Sequence, residues 1–326
     1  MFQRILVPLD GSERAERAIP VAARIARATG GSIVLLRVVN PSAEFAGYLT
    51  ESPTLIQEVL ETDIANAIEY LAKVATSAEL EGIGTKTEVL TGMAALTILS
   101  AAEAQDSDLI VMCSHGYTGL KRWMFGSVAR KVAHYSTVPV FILRDGGPMP
   151  AGPHPDPTRP LRALVPLDGS VLAKAALRPA ASLIAALSAP GEGALHLARV
   201  VNVPYSAGIF GKQTEIDPAL REQALHKAKT YLRSIKDHLR DDPIARLNLS
   251  ITWSVAYDAD VAETLVRVAE NGEDAEGAGI PGGCDLIAIA THGRGGLQRW
   301  AMGSVTERVL ERTKLPILVV RPQENP

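Results

Sequence analysis

The chain carries nearly the same text twice. Residues 4–12 read RILVPLDGS and residues 162–170 read RALVPLDGS, while HGYTGLKRWMFGS at 115–127 returns as HGRGGLQRWAMGS at 292–304. Two separate segments recurring in the same order mean that a whole domain has been duplicated. A fold proposed for one copy must therefore also suit the other. The 326 residues divide into two domains of ordinary size, each long enough to bury a core.

Within the first copy, short apolar runs alternate with stretches long enough to be helices. Ile5-Leu6-Val7 reads as a strand stopped by Pro8 and Asp10-Gly11. Ser12 then caps a helix running to about Ala28, with Glu13 and Glu16 favourably placed against its dipole. Pro20 predicts a kink in that helix or a late start. Strands follow at Ser32–Val39, Lys86–Leu90, Leu109–Cys113 and Val140–Leu143, separated by helices over about 53–80, Met93–Ala104 and from Ser127 onward. Strands that are apolar throughout, with helices between them, predict a parallel sheet with right-handed crossovers and helices on both faces. The second copy repeats the order, with strands near 162–168, 194–201, 247–255, 285–290 and 316–320. The expected fold class is α/β, two tandem open parallel five-stranded sheets.

Asp10 matches Asp168 at an offset of 158 and Gly116 matches Gly293 at 177, so the second copy holds insertions totalling 19 residues. Most fall in NGEDAEGAGIPGG at 271–283, expected to be a flexible surface loop. GGPMPAGPHPDPTRP at 146–160 reads as a linker, since its prolines and glycines exclude helix and central strand. The expected domains are 1–145 and 161–326.

Composition narrows the function class. A net charge of −3 gives no reason to expect a nucleic-acid or anionic-membrane partner. Two cysteines, Cys113 and Cys284, sit at non-equivalent positions, which argues against a disulfide framework and for a reducing cytosol. The N-terminus MFQRILVPLD enters a strand at once, leaving no room for a signal peptide. No apolar run approaches the ~18 residues of a membrane helix. A cytoplasmic location is expected.

The repeated segments are where chemistry is expected. Gly116, nine residues, then Gly126-Ser127 leave one strand and open a helix; Gly293, Gly303 and Ser304 do the same in the second copy. A helix start presents unpaired N–H groups and partial positive charge, a setting for phosphate. Glycines allow close approach, the serine adds a donor, and Lys121, Arg122, Arg294 and Arg299 add charge. Asp10 and Asp168 end the first strand of each copy, beside the crevice where open α/β sheets hold ligands. Each can accept hydrogen bonds from a base or ribose, or cap the next helix.

With these residues in view, the chain resembles a tandem universal stress protein over essentially both domains. The family's ATP-binding members carry Gly, two residues, Gly, nine residues, then Gly-Ser or Gly-Thr. Gly116, Gly126, Ser127 and Gly293, Gly303, Ser304 match that pattern. Its first glycine is replaced by Cys113 in one copy and Ala290 in the other. The resemblance implies a Rossmann-like, adenine nucleotide alpha hydrolase-like sheet of order 3-2-1-4-5. It also implies contact of this first position through the main chain, which favours the copy holding Ala290 as the tighter site. Adenine would lie against Pro8, Leu9, Asp10 and Val38, and against Pro166, Leu167, Asp168 and Val200. Met112 and Ile289 would wall the ribose, and Val128 and Val305 would each offer a backbone N–H. The implied ligand is ATP, with ADP and AMP as alternatives, and Mg²⁺ alongside it.

Other residues have plainer readings. His115 and His292 lack companions at metal-ligand spacing, so packing or an anion-facing role fits them better. Trp123 and Trp300 are expected to anchor their loops by buried area. Cys113 ends a buried strand, where thiols are inert. There is no Gly-x-x-x-x-Gly-Lys-Ser/Thr loop, no nucleophile elbow, no serine-rich pyrophosphatase loop and no His-Ile-Gly-His signature. Three readings stay open: a nucleotide-binding regulator of the stress response, a slow ATPase or AMP-forming hydrolase, and a ligand-free scaffold. The apolar last strands, Val138–Leu143 and Leu315–Val320, should not stay exposed. The family pairs such strands across a two-fold, so the two halves are expected to pair with each other, with a homodimer as a further option.

Overall fold

A computed structural model describes residues 1–40, 53–114, 125–150, 159–202, 218–272, 276–277, 283–293 and 302–322. The chain divides into two compact units, Met1–Gly152 and Pro153–Pro326.

In the first unit, β1 (Arg4–Leu9) is the centre of the sheet. The chain continues through α1 (Glu13–Glu16), α2 (Ala18–Thr29), β2 (Ser32–Val39), α3 (Pro53–Ala75), β3 (Thr85–Thr91), α4 (Ala94–Ala104), β4 (Leu109–Cys113), α5 (Ser127–Tyr135) and β5 (Val140–Leu143). The strand order is β3-β2-β1-β4-β5, every pair parallel. Strand order therefore reverses between β1 and β4, which opens a crevice at their carboxyl ends.

The sequence marks most of these boundaries. Ser12 caps α1 through Ala15 N, 3.2 Å from its hydroxyl. The helix then breaks at Arg17, three residues before Pro20. Proline has no N–H to give the Glu16 carbonyl, so the turn cannot propagate and α2 starts afresh. Ala18, Ile19, Val21, Ala22, Ile25 and Ala26 form its buried stripe. Two expectations need correction. The long helix ends at Ala75, and Ala78–Leu80 form a separate 3₁₀ turn. β3 (TKTEVLT) is not buried on both faces: it is an edge strand whose polar residues face water.

The second unit repeats the plan with β6 (Leu161–Pro166), a 3₁₀ turn (Leu172–Ala176), α6 (Leu177–Ser188), β7 (Gly193–Val201), α7 (Pro218–Asp241), β8 (Leu249–Tyr257), α8 (Val261–Asn271), β9 (Glu276–Gly277), β10 (Leu286–Ala290), α9 (Ser304–Arg312) and β11 (Ile317–Val320). Its parallel order, β8-β7-β6-β10-β11, is again 3-2-1-4-5. The insertion before β10 is not loop throughout. Val255 and Ser254 of β8 pair antiparallel with Glu276 and Gly277, adding a short sixth strand at the edge.

One repeated carboxylate fastens each sheet at its amino end. Asp108 accepts the amides of Gln3 and Arg4 at 2.7 and 3.1 Å, and Asp285 accepts that of Arg162 at 2.7 Å. No helix among the described residues is long and apolar enough to cross a membrane.

Candidate functional site

In the second unit, β6 delivers Pro166, Leu167 and Asp168 to the reversal point. Leu167 N reaches Ala198 O at 2.8 Å, continuing the pairing with β7 beyond the last strand residue. Gly169 then turns with φ +94, in the left-handed region, as Gly11 does at φ +82 in the first unit. A side chain would be strained at either place. The turn lets Asp168 Oδ1 accept Ser170 N at 2.8 Å, while the Ser170 hydroxyl accepts Ala173 N at 3.1 Å. Asp168 thus initiates the turn into the next helix and also faces the crevice.

Across the crevice, β10 ends at Ala290. Thr291, His292 and Gly293 follow, and the chain returns at Met302. Gly303 N bonds Thr291 O at 2.8 Å, and the buried Thr306 hydroxyl donates to Ala290 O at 2.9 Å. These two bonds pin the start of α9 to the end of β10. Gly303 occupies the N-cap, and among the described residues no side chain caps the helix. Its first amides are left as donors at the positive end of the dipole.

Gly293 has a different reason to be glycine from the one its loop suggests. Its φ is not in the left-handed region, but a Cβ there would collide with Asp168 Oδ2. The motif glycine and the strand-end aspartate are one packed unit, a coupling that neither segment discloses alone.

All ten second-copy positions predicted from sequence line one cavity of about 750 Å³: Pro166, Leu167, Asp168, Val200, Ile289, Ala290, Gly293, Gly303, Ser304 and Val305. That volume lies within the range of small-molecule sites. His292 lines it too. Its Nδ1 meets the Thr291 hydroxyl at 2.9 Å, while Nε2 is enclosed with no hydrogen-bond partner among the described residues. When the Thr291 hydroxyl donates to Nδ1, Nε2 carries the proton and is a donor.

In the first unit, Pro8, Leu9 and Asp10 end β1, Val38 lies on β2, and Met112 and Cys113 end β4. Asp10 Oδ1 accepts the Ser12 amide at 3.0 Å and hydroxyl at 2.6 Å. Gly126 caps α5, again without a side-chain cap, and its N bonds Ser114 O at 2.9 Å; Ser127 and Val128 begin the helix. Cys113 turns its thiol toward Ala15 O, 3.9 Å away. Burial pushes that thiol up to about 12, only partly opposed by the nearby Arg17. Gly116, His115, Lys121, Arg122 and Trp123 lie outside the described residues, as do Arg294, Arg299 and Trp300.

The sequence reading missed a third repeat. Arg-Val-Val-Asn occurs at 37–40 and again at 199–202, and Arg199 through Asn202 all line the cavity. Its signal is a word of only four residues, shorter than the two repeats that dominate the sequence. Each arginine packs beside a tyrosine of the long helix: Arg37 lies 5.9 Å from the Tyr70 ring centre and Arg199 lies 4.9 Å from that of Tyr231. Ala224 and Lys227 of α7 and Val261 and Leu265 of α8 complete the walls. These come from helix faces that no short motif marks.

The universal stress protein family model matches residues 1–144 and 161–321, which is nearly the whole chain and takes in both repeats. The chain belongs to the universal stress protein family. A universal stress protein of Methanocaldococcus jannaschii is 36% identical over 145 residues, covering 44% of this chain and 83% of that protein. A universal stress protein of Mycolicibacterium smegmatis is 26% identical over 329 residues, 98% of this chain and 97% of its own length, so it has the same tandem extent. Among solved structures, a universal stress protein from Archaeoglobus fulgidus matches with a TM-score of 0.62 at 20% identity, covering 98% of this chain and 99% of that one. That likeness concerns the fold.

Proposed function

We propose that this universal stress protein is a nucleotide-responsive regulator whose second unit binds an adenine nucleotide, foremost ATP, in the crevice between β6 and β10. The observation that carries the reading is the convergence of all ten second-copy positions expected from sequence on a single cavity of about 750 Å³. An apolar wall of Pro166, Leu167, Val200 and Ile289 suits a base, and the Asp168 carboxylate suits an amino or hydroxyl donor on base or ribose. The unpartnered His292 Nε2 and the uncapped start of α9 at Ser304 and Val305 suit the phosphates. Mg²⁺ would arrive on the phosphates, since among the described residues no group of three His, Cys, Asp or Glu gathers to hold it. Binding would stabilise the unit by about 2.7 kcal/mol at a hundred times the dissociation constant, which gives occupancy a direct effect on the fold.

The first unit offers the equivalent frame at Asp10, Val38, Met112, Cys113, Gly126, Ser127 and Val128 and is proposed as a second, weaker site. The test is chromatography of the supernatant after heat-denaturing purified protein, with a thermal-shift titration beside it. Release of adenine nucleotide, or a rise in Tm with ATP that Asp168→Ala abolishes, supports the reading. Absence of both would overturn it, and turnover of ATP above background would move the protein among the hydrolases.

A further inference from the structure

We infer that duplication has left the second crevice more positive than the first, and that the second selects among nucleotides by their number of phosphate charges through Lys174, Arg199 and Lys227. This rests on the nucleotide reading above and adds residues that lie outside the glycine motif.

Three repeats set the comparison. The VPLDGS segments align Glu16 with Lys174, and the Arg-Val-Val-Asn segments align Arg37 with Arg199. Tyr70-Leu71 and Tyr231-Leu232 recur on the long helices, each tyrosine beside the matching arginine. That contact fixes the helix register and aligns Asp63 with Ala224 and Asn66 with Lys227. At these aligned positions, among the described residues, the first copy holds Asp10, Glu16 and Asp63 against Arg37, a formal sum of −2. At the same positions the second copy holds Asp168 against Lys174, Arg199 and Lys227, a formal sum of +2, and of these Asp168, Arg199 and Lys227 line the cavity.

The contacts differ accordingly. In the first unit the Tyr70 hydroxyl donates to Glu16 at 2.9 Å, and the Arg37 guanidinium lies down on the turn at Gly11. One anion, Glu16, and one cation, Arg37, flank the ring there. In the second unit Lys174 Nζ, at 5.8 Å, and the Arg199 guanidinium, at 4.9 Å, both address the Tyr231 ring. Two cations on one ring repel each other. Arg199 and Lys227 line the cavity, so an anion held there relieves that repulsion, and more so the more charge it carries. Where the second copy has these two lysines, the first has Glu16 and Asn66.

The experiment is calorimetric titration of the full chain with ATP, ADP and AMP in magnesium-free buffer, in an Asp10→Ala background that silences the first crevice. It compares this protein with a Lys174→Glu/Lys227→Asn variant, which installs the first copy's residues, and with Lys227→Gln alone. Both lysines are surface residues, and unchanged urea unfolding verifies the fold of each variant. The double variant should lose ATP affinity by about tenfold and AMP affinity by no more than about twofold, with a shallower salt dependence. Lys227→Gln should fall between. Equal losses for ATP and AMP, or no loss, would overturn the inference while leaving nucleotide binding intact. If the parent binds no nucleotide, the reading beneath falls, and inorganic tripolyphosphate decides the charge selection. Retention by the parent and loss in the double variant would sustain it; no retention would end it.

Discussion

Replacing Gly293 by alanine tests whether the motif glycine serves the strand-end aspartate. The added methyl would overlap Asp168 Oδ2, so the carboxylate has to shift, straining the bond that its Oδ1 accepts from Ser170 N. Overpacking of this kind costs about 1–3 kcal/mol. Asp168→Ala alone forfeits the hydrogen bond, about 1 kcal/mol, and removes the colliding atom. If the two residues act through one contact, the Asp168→Ala/Gly293→Ala double variant should cost little more than Asp168→Ala by itself, a coupling of about 1–2 kcal/mol. Urea unfolding followed by Trp253 fluorescence, with Trp123 and Trp300 replaced by phenylalanine, reports the second unit alone. At a typical urea dependence for a domain of this size, 2 kcal/mol moves the midpoint by about 1 M. Additive losses in the double variant would refute the argument, because the glycine would then be needed for a reason other than Asp168.

Three further outcomes follow from the geometry. His196 is fully buried between Thr252 and Ser254, at 2.8 and 2.7 Å, and burial, aided by Arg162, holds its imidazole down at about 3. A group that resists protonation in the fold favours unfolding once pH drops below its unfolded value of about 6.5. Stability of the second unit should therefore decline from about pH 6.5 toward 3, and His196→Leu should flatten that decline in urea midpoints; an unchanged slope would contradict it. Asp260 caps α8 through Glu263 N and pairs with Arg308 and Arg312 of α9. These bonds, the Glu263 amide first, hold its carboxyl below the usual range, so its contribution is present above about pH 4 and lost as pH falls through its lowered folded value. Asp260→Ala should cost about 1 kcal/mol at pH 7 and progressively less as pH falls through the lowered folded value, as read by paired urea curves. Finally, Cys113 and Cys284, both held near 12 by burial, should resist iodoacetamide in the native protein and react on unfolding; rapid native labelling would show the pockets around them to be open.

Much of this was legible in the sequence for a physical reason. Buried parallel strands must be apolar on both faces, so Ser32–Val39, Leu109–Cys113 and Val140–Leu143 were bounded to the residue. Pro20 announced the broken first helix because a missing N–H acts locally. What escaped depends on edges and on partners far along the chain. β3 was grouped with strands apolar throughout, although order 3-2-1-4-5 leaves it at an edge, where its polar residues meet water. Glu276–Gly277 join β8 through main-chain bonds that composition does not encode. In the site, the strand ends and glycines could be read because they lie within repeated segments. Lys227, Val261 and Leu265 could not, since only packing of α7 and α8 brings them to the cavity. Arg199 lay in a repeat of four residues and would have been found by comparing shorter words.

The most direct trial of the central claim is a crystal of the full chain soaked in millimolar ATP. The account predicts an adenine against Pro166, Leu167 and Val200, with phosphate oxygens within hydrogen-bonding distance of the Ser304 and Val305 amides and of His292 Nε2. Density for water alone between β6 and β10, at a concentration that saturates any physiological site, would contradict it.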